Sequence, residues 1–422
     1  MYKKVVLDNG VRVVLERMSS LRSVALGVWA NVGSRYEIKG EEGYSHFIEH
    51  MMFKGTRNRT AAQISNEIDA LGGEMNAFTT HEATAFYVKV LDQQVGAAFD
   101  LVADLFHHSR FGIRDLEKEK QIVMEEIRTV QDDPEDYLHE LHAKDVLGNH
   151  PIGRPILGTP RSMQQMNRRG LLQYKHKHYR PENTIVAVAG NFSFPQLLDQ
   201  VNEYFGQWQG EKANNLPDKM GKSSWPDHPP TSTSFHQKPL EQVHLCVGFH
   251  GLPVGHPDRY VAHVMNTILG GGVSSRLFQE VREKRGLAYT IYTHLSSFLD
   301  GGTLTVYAAT RPTEVEAVID QICKETKKLC RREVSQKELE RTKTQLKGNL
   351  MLGLEGTYGR MNKLAKDELY QGRHVTLQEI VKAIDRISPD QIRQLSQKLL
   401  NQKEFVVTAL GPIPKKVVAK WG

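Results

Sequence analysis

His46-Phe47-Ile48-Glu49-His50 is the stretch around which the chain is organised. Two imidazoles four residues apart share one face of a helix and can hold one metal ion between them. Glu49 stands three residues after the first histidine and one before the second, near the same face and within reach of a water at that metal. Tyr44, Phe47, Ile48, Met51 and Met52 fill the remaining faces. A helix apolar nearly all round is a buried helix. Burying His, Glu and His without partners is costly, so a bound cation is the simplest account. The plainer alternative is a pair of core histidines with local hydrogen-bond partners.

A catalytic zinc site takes three protein ligands and keeps one position for water. The helix expected from Asp115 to about Val130 offers Glu117, Glu119, Glu125 and Glu126. With Val123 at the centre of its apolar stripe, Leu116, Ile127 and Val130 lie within about 40° at about 100° per residue. Glu119 then falls about 40° and Glu126 about 60° to one side, whereas Glu125 lies about 160° away. Glu119 and Glu126 therefore look inward and Glu125 looks at water. A metal ligand and a carboxylate that orients a histidine are natural roles for such a pair. The competing reading pairs both with lysines such as Lys120. His139 and His142, three apart on a polar helix with Glu140, read as a solvated face. His107-His108 and His176/His178 have no inward carboxylate near them. Gly270-Gly271-Gly272 lacks the Lys and Ser/Thr of a phosphate loop.

The wider chain sets bounds. Its 422 residues exceed one core, so two or more domains are expected. A hydrophobic content of 39% and a charged content of 25% describe an ordinary globular protein. The net charge is +6, but acids are mixed among the bases, and Lys327-Lys328 and Arg331-Arg332 belong to an amphipathic stretch. A solvated helix face explains them better than a nucleic-acid patch. Cys246, Cys323 and Cys330 are odd in number and form no CxxC, so neither disulfides nor a thiolate zinc site is expected. The apolar run Val5-Val6-Leu7 is too short for a signal-peptide core, and no stretch approaches membrane-spanning length. A cytoplasmic protein without membrane or nucleic-acid partners is the expectation.

Along the chain, Asp8-Asn9-Gly10 reads as a hairpin turn. Thr60 caps a helix that runs through Ala70 and ends at Gly72-Gly73, and 75–90 reads as strand, turn, strand. Helices follow at 94–106 and 171–179, then a buried strand at 184–189 closed by Gly190. From Glu211 to Ser234 the prolines, glycine and asparagines mark a linker. Beyond it the pattern resumes, and helix 388–400 followed by strand 405–410 and Gly411 repeats the close of the first half. The order of elements suggests an internal duplication. The division read from this is a domain over 1–212, a linker over 213–232 and a second domain over 233–422.

The residues also carry a resemblance. The inverted HxxEH of His46–His50, with a glutamate on a later helix, resembles the inverzincins. More closely, the chain resembles the pitrilysin and mitochondrial-processing-peptidase family of zinc metallopeptidases, in its shorter bacterial branch. The matching blocks are 43–56, 72–79, 119–126, 150–159, 178–183, 271–278 and 282–289. They span nearly the whole chain, and no catalytic position departs from the family pattern.

The resemblance implies that His46, His50 and Glu126 hold one Zn2+ per chain. Glu49 would be the general base, and Glu119 the carboxylate behind a ligand. Asn76, Ala77, Phe78 and Thr79 would lie on an edge strand to which an extended peptide adds by backbone pairing. Arg282 and Tyr289 would bind the substrate backbone. The implied fold is α+β: two homologous halves, each a mostly antiparallel sheet with helices packed on one face. Two such chains close like a clamshell in the family, so a dimer is implied, with itself or with a paralogue. The implied activity is a zinc metalloendopeptidase acting on peptides or unfolded segments. The rival is a catalytically silent scaffold or partner subunit of the same fold.

Overall fold

The computed structural model describes residues 1–210, 225–226, 232–400 and 405–417. Two compact units are found. The first takes in the described residues of Met1–Arg128, Arg154–Lys222 and Leu352–His374, the second those of Thr129–Gly153, Ser223–Met351 and Val375–Gly422. The units therefore cut across the contiguous halves 1–212 and 233–422. Nearly all of the linker over 213–232 lies outside the described residues.

The first unit is built on strands β1 (Tyr2–Val6), β2 (Arg12–Arg17), β3 (Ser23–Ala30), β4 (Glu74–Thr79), β5 (Thr84–Leu91) and β6 (Thr184–Gly190). They form one sheet in the order β1-β2-β6-β3-β5-β4. β1 and β2 are a hairpin through Asp8-Asn9-Gly10, with Gly10 at φ +94°, as turn chemistry requires. β2 runs parallel to β6, and every other pairing is antiparallel.

Central strands β3 and β6 are buried on both faces. Val24, Leu26, Val28, Val186 and Val188 face one layer, which includes Phe47, Ile48 and Met51 of the helix Tyr44–Met52 and Phe99 and Val102 of the helix Val95–His108. Ala25, Trp29, Ile185, Ala187 and Ala189 face the opposite way, against Met361, Leu364 and Ala365 of the helix Thr357–Gln371. Small residues let that helix come close: a Cβ on Gly27 would stand 2.8 Å from Met361 Sδ.

The second unit holds β7 (Ser232–Gln237), β8 (Val243–His250), β9 (Ala288–Ser297), β10 (Gly302–Thr310) and β11 (Val406–Gly411), in the order β7-β11-β8-β10-β9. β7 and β11 are parallel and the remaining pairs antiparallel. One face packs on the helices Arg259–Gly270, Val315–Arg331 and Pro389–Leu399. The other carries the helix Pro134–Leu147, whose Leu138 meets Cys246, Tyr307 and Leu410.

The fold is α+β with mostly antiparallel sheets, as the resemblance implies, and a helix covers the second face of each sheet as well. That helix comes from the opposite half of the sequence in both cases, because a central strand apolar on both faces needs cover on both.

Strands β2, β6, β3, β5, β4 of the first sheet correspond in order and direction to β7, β11, β8, β10, β9 of the second. Gly190 and Gly411 close the equivalent strands at φ +141° and +136°. A Cβ there would lie 2.3 Å from the Ser23 carbonyl oxygen and 2.5 Å from that of Gln242. The duplication read from the order of elements is thus carried by topology and by a shared backbone constraint.

The polar helix Pro134–Leu147 departs from the solvated face its sequence predicts. His139 and His142 do not face water. His142 is fully buried against the second sheet, and His139 Nε2 stands 3.0 Å from the Tyr292 hydroxyl. Both belong to the sheet-facing side of the helix Pro134–Leu147, a polar helix that docks through its histidines and Tyr137 as well as through Leu138 and Val146.

Candidate active site

The motif falls on the helix Tyr44–Met52. Phe47, Ile48, Met51 and Met52 are fully buried and fix one side of it in the core. His46, Glu49 and His50 emerge on the other side and are half-buried, so they line a surface rather than the interior. The helix starts at Gly43, at φ +90°, where a Cβ would stand 2.7 Å from the Leu157 carbonyl oxygen.

The helix Ile113–Asp132 supplies the acids. Glu119 is buried, Glu126 is partly exposed, and Glu125 faces solvent, where it pairs with Arg128. Glu126 Oε2 lies 3.8 Å from His46 Nε2 and 3.6 Å from His50 Nε2. The three ligand atoms lie within 4.8 Å of one another. Three donors on a tetrahedral ion, each about 2.1 Å from it, would be roughly 3.4 Å apart. Among the described residues no other group of three His, Cys, Asp or Glu side chains could share an ion.

The donor set fits a divalent metal on chemical grounds as well. His50 Nδ1 is 3.1 Å from Glu119 Oε2, which leaves Nε2 toward Glu126. A carboxylate behind a ligating imidazole fixes its tautomer and raises its basicity. Glu119 is itself held by Lys54, Nζ to Oε1 at 2.8 Å, and not by Lys120, which pairs with Glu117. Burial, and then the neighbouring His50, hold the His46 imidazole down to about 3, so it is neutral, the form that ligates.

Glu49 sits beside this cluster. Its Oε2 accepts a hydrogen bond from Thr79 Oγ1 at 2.5 Å. Burial raises its pKa above the usual carboxyl range, and the Thr79 hydroxyl opposes the rise. A raised carboxyl pKa makes the ionised group a stronger base.

Thr79 ends strand β4, which lies at the edge of the first sheet. Met75, Ala77 and Thr79 face the motif helix side, whereas Phe78 turns to the opposite face and packs edge-on against Trp29 at 5.2 Å. Asn76 Oδ1 accepts the Ala77 N–H at 2.8 Å.

Arg282 and Tyr289 lie in the second unit, where they touch. The guanidinium is 5.0 Å from the Tyr289 ring centroid and 4.8 Å from that of Phe278. Tyr289 is 73% exposed, so it is not a core residue.

The sequence reading missed two partners. Lys54 follows the motif helix, and only the fold aims it at Glu119. The Thr79 hydroxyl was read as part of a strand and not as the hydrogen-bond donor to Glu49.

With this geometry in place the kinship of the chain is plain. Residues 12–160 match the family model described as Insulinase (Peptidase family M16), and residues 165–346 the one described as Peptidase M16 inactive domain. An uncharacterized zinc protease of Bacillus subtilis, YmxG, is 41% identical over 414 residues, 98% of each chain. An uncharacterized zinc protease of Streptomyces coelicolor is 37% identical over 422 residues, covering 99% of this chain and 91% of that protein. Among solved structures, a protease from Helicobacter pylori superposes with a TM-score of 0.91 at 22% identity, over 98% of this chain and 99% of that one. The chain belongs to peptidase family M16, the pitrilysin-like family. No helix among the described residues is long and apolar enough to cross a membrane.

Proposed function

We propose that the chain is a zinc-dependent metalloendopeptidase that hydrolyses bonds in extended peptides or unfolded protein segments. The observation that carries this reading is the convergence of His46, His50 and Glu126 with Glu49 beside them. Its relatives' names, zinc protease, support the metal and the class of activity.

In this reading His46 Nε2, His50 Nε2 and a Glu126 oxygen would hold one zinc ion, with Glu119 orienting His50. Zinc, when bound, polarises the scissile carbonyl and acidifies a water. Thr79 occupies Oε2 of Glu49, which leaves Oε1 as the atom that would hold a proton taken from the attacking water and hand it to the leaving nitrogen. The substrate adds as a strand to the open edge of β4, along Asn76–Thr79, by backbone pairing. Thr79 belongs to both parts, so one residue ties the base to the strand that sets the substrate's register. Arg282 and Tyr289 are proposed to bind substrate backbone. A homodimer in the cytoplasm is the expected form.

The test is cleavage of a quenched mixed-peptide library by purified protein with and without a zinc chelator. Cleavage that the chelator abolishes and zinc restores supports the proposal. Stoichiometric zinc with no cleavage of any peptide favours the silent-subunit alternative.

A further inference from the structure

We infer that Glu37 is a positioning residue: its carboxylate clamps the first turn of the motif helix and ties that helix to the turn at the end of the edge strand. The inference rests on the peptidase reading above and adds a residue to it.

A helix begins with N–H groups that have no partner inside it. Here the residue at the cap is Gly43, which has no side chain to offer, and no cap bond is made from that position. Glu37 fills the gap from upstream. Its Oε2 accepts the Gly43 N–H and its Oε1 the Ser45 N–H, both at 2.8 Å. The side chain is buried, 4% exposed, so water does not compete for these bonds. Burial pushes the Glu37 carboxyl up to about 8, and the Ser45 and Gly43 N–H groups oppose that rise; the helix dipole favours its ionised form. Ser45 directly precedes His46, so the clamp acts one residue from the first candidate ligand.

What makes this more than a cap is where Glu37 is anchored. The segment just before it is sewn to the turn that follows β4. Ser34 N–H donates to the Thr80 carbonyl at 3.3 Å and Arg35 N–H to that of His81 at 2.8 Å. Arg35 and Glu82, both buried, form an ion pair at 2.8 Å, and Ser34 Oγ lies 2.8 Å from His81 Nδ1. Arg154 donates to the Glu37 carbonyl oxygen at 2.8 Å and fixes the residue itself. One rigid segment therefore references the helix that bears His46, Glu49 and His50 to the strand that ends in Thr79. A shift of about 1 Å between base, metal and substrate is enough to cost orders of magnitude in rate.

The test compares wild type, Glu37→Gln and Glu37→Asp, each loaded with cobalt(II) in place of zinc. Glu37→Gln opposes one N–H with an amide NH2. Glu37→Asp keeps the carboxyl group but is one methylene short of reaching both donors. Expected is a changed cobalt absorption spectrum in both variants and a kcat at least tenfold lower in Glu37→Gln. KM should stay within about twofold, with Glu37→Asp intermediate. A folded variant with the wild-type spectrum and wild-type kcat overturns the clamp. So does a loss of activity that only tracks the folded fraction, with an unchanged spectrum. If Glu37→Gln does not fold, Glu37→Asp decides by the same two readouts. Failure of the wild type to bind metal or cleave peptide would instead count against the peptidase reading.

Discussion

Nδ1 of His50 stands 3.1 Å from Oε2 of Glu119, and the other oxygen of that carboxylate is 2.8 Å from Lys54 Nζ. The chain Lys54–Glu119–His50 fixes the imidazole whose Nε2 turns toward Glu126. Replacing Glu119 by Gln keeps the side chain's shape but removes the charge that orients His50. Zinc affinity should fall roughly 10- to 100-fold, as losses behind a metal ligand do. Competition with a chromophoric chelator measures it; an unchanged affinity would mean that Glu119 only pairs with Lys54.

Thr79 gives a second prediction. Thr79→Val is nearly isosteric and deletes only the hydroxyl that holds Glu49 Oε2. One hydrogen bond to a charged group is worth about 1.5 kcal/mol or more, so kcat should fall on the order of tenfold. KM and bound zinc should be unchanged. Steady-state kinetics on a single cleaved peptide decides; a shift confined to KM would place Thr79 in substrate binding alone.

The duplication predicts paired effects on stability. Gly190→Ala and Gly411→Ala each put a Cβ onto a carbonyl oxygen, at 2.3 Å and 2.5 Å, from a backbone at positive φ. Each should destabilise its unit by roughly 3 kcal/mol. Denaturant unfolding with a probe in each sheet reads this. A neutral result at either site would break the equivalence drawn between β6 and β11.

His142 predicts the response to acid. Its Nδ1 stands 3.0 Å from Thr408 Oγ1, whose hydroxyl donates to Asp145 Oδ2 at 2.8 Å, so Nδ1 carries the proton. Nε2 is buried without a hydrogen-bond partner among the described residues, and burial holds the ring down to about 3. An unfolded histidine titrates near about 6.5. Between these values the unfolded chain binds a proton that the folded chain refuses. Stability from this group is therefore full above about 6.5 and is lost as pH falls, at about 1.4 kcal/mol per unit. His142→Asn, which can still donate to Thr408, should flatten the slope of unfolding free energy against pH by one proton. An unchanged slope would show that His142 already titrates freely.

The site was more legible in the sequence than the packing around it. Spacing put His46 and His50 on one face, and the angular argument separated Glu119 and Glu126 from Glu125, because local helical geometry fixes both. Thr60 as a helix cap followed from its own side chain and is seen as a capping box with Gln63. The helix Thr357–Gln371 carries no expectation from the sequence, and the polar composition of Pro134–Leu147 predicts a solvated face where the structure has a sheet-facing one. Both helices bury a narrow stripe, Met361, Leu364 and Ala365 in one and Leu138, His142 and Val146 in the other. Nothing local says that such a stripe covers a sheet formed by the other half of the chain. The choice is made by the far face of β3 or β8, and it is visible only once the sheets exist.

The central claim is that Glu49 moves the proton in a zinc-dependent cleavage. The most direct measurement sets Glu49→Gln beside the wild type on the same peptide library, with zinc determined in both. The account predicts equal zinc content and a loss of turnover of at least about 100-fold in the variant. Cleavage by Glu49→Gln at the wild-type rate, with zinc bound, would contradict it.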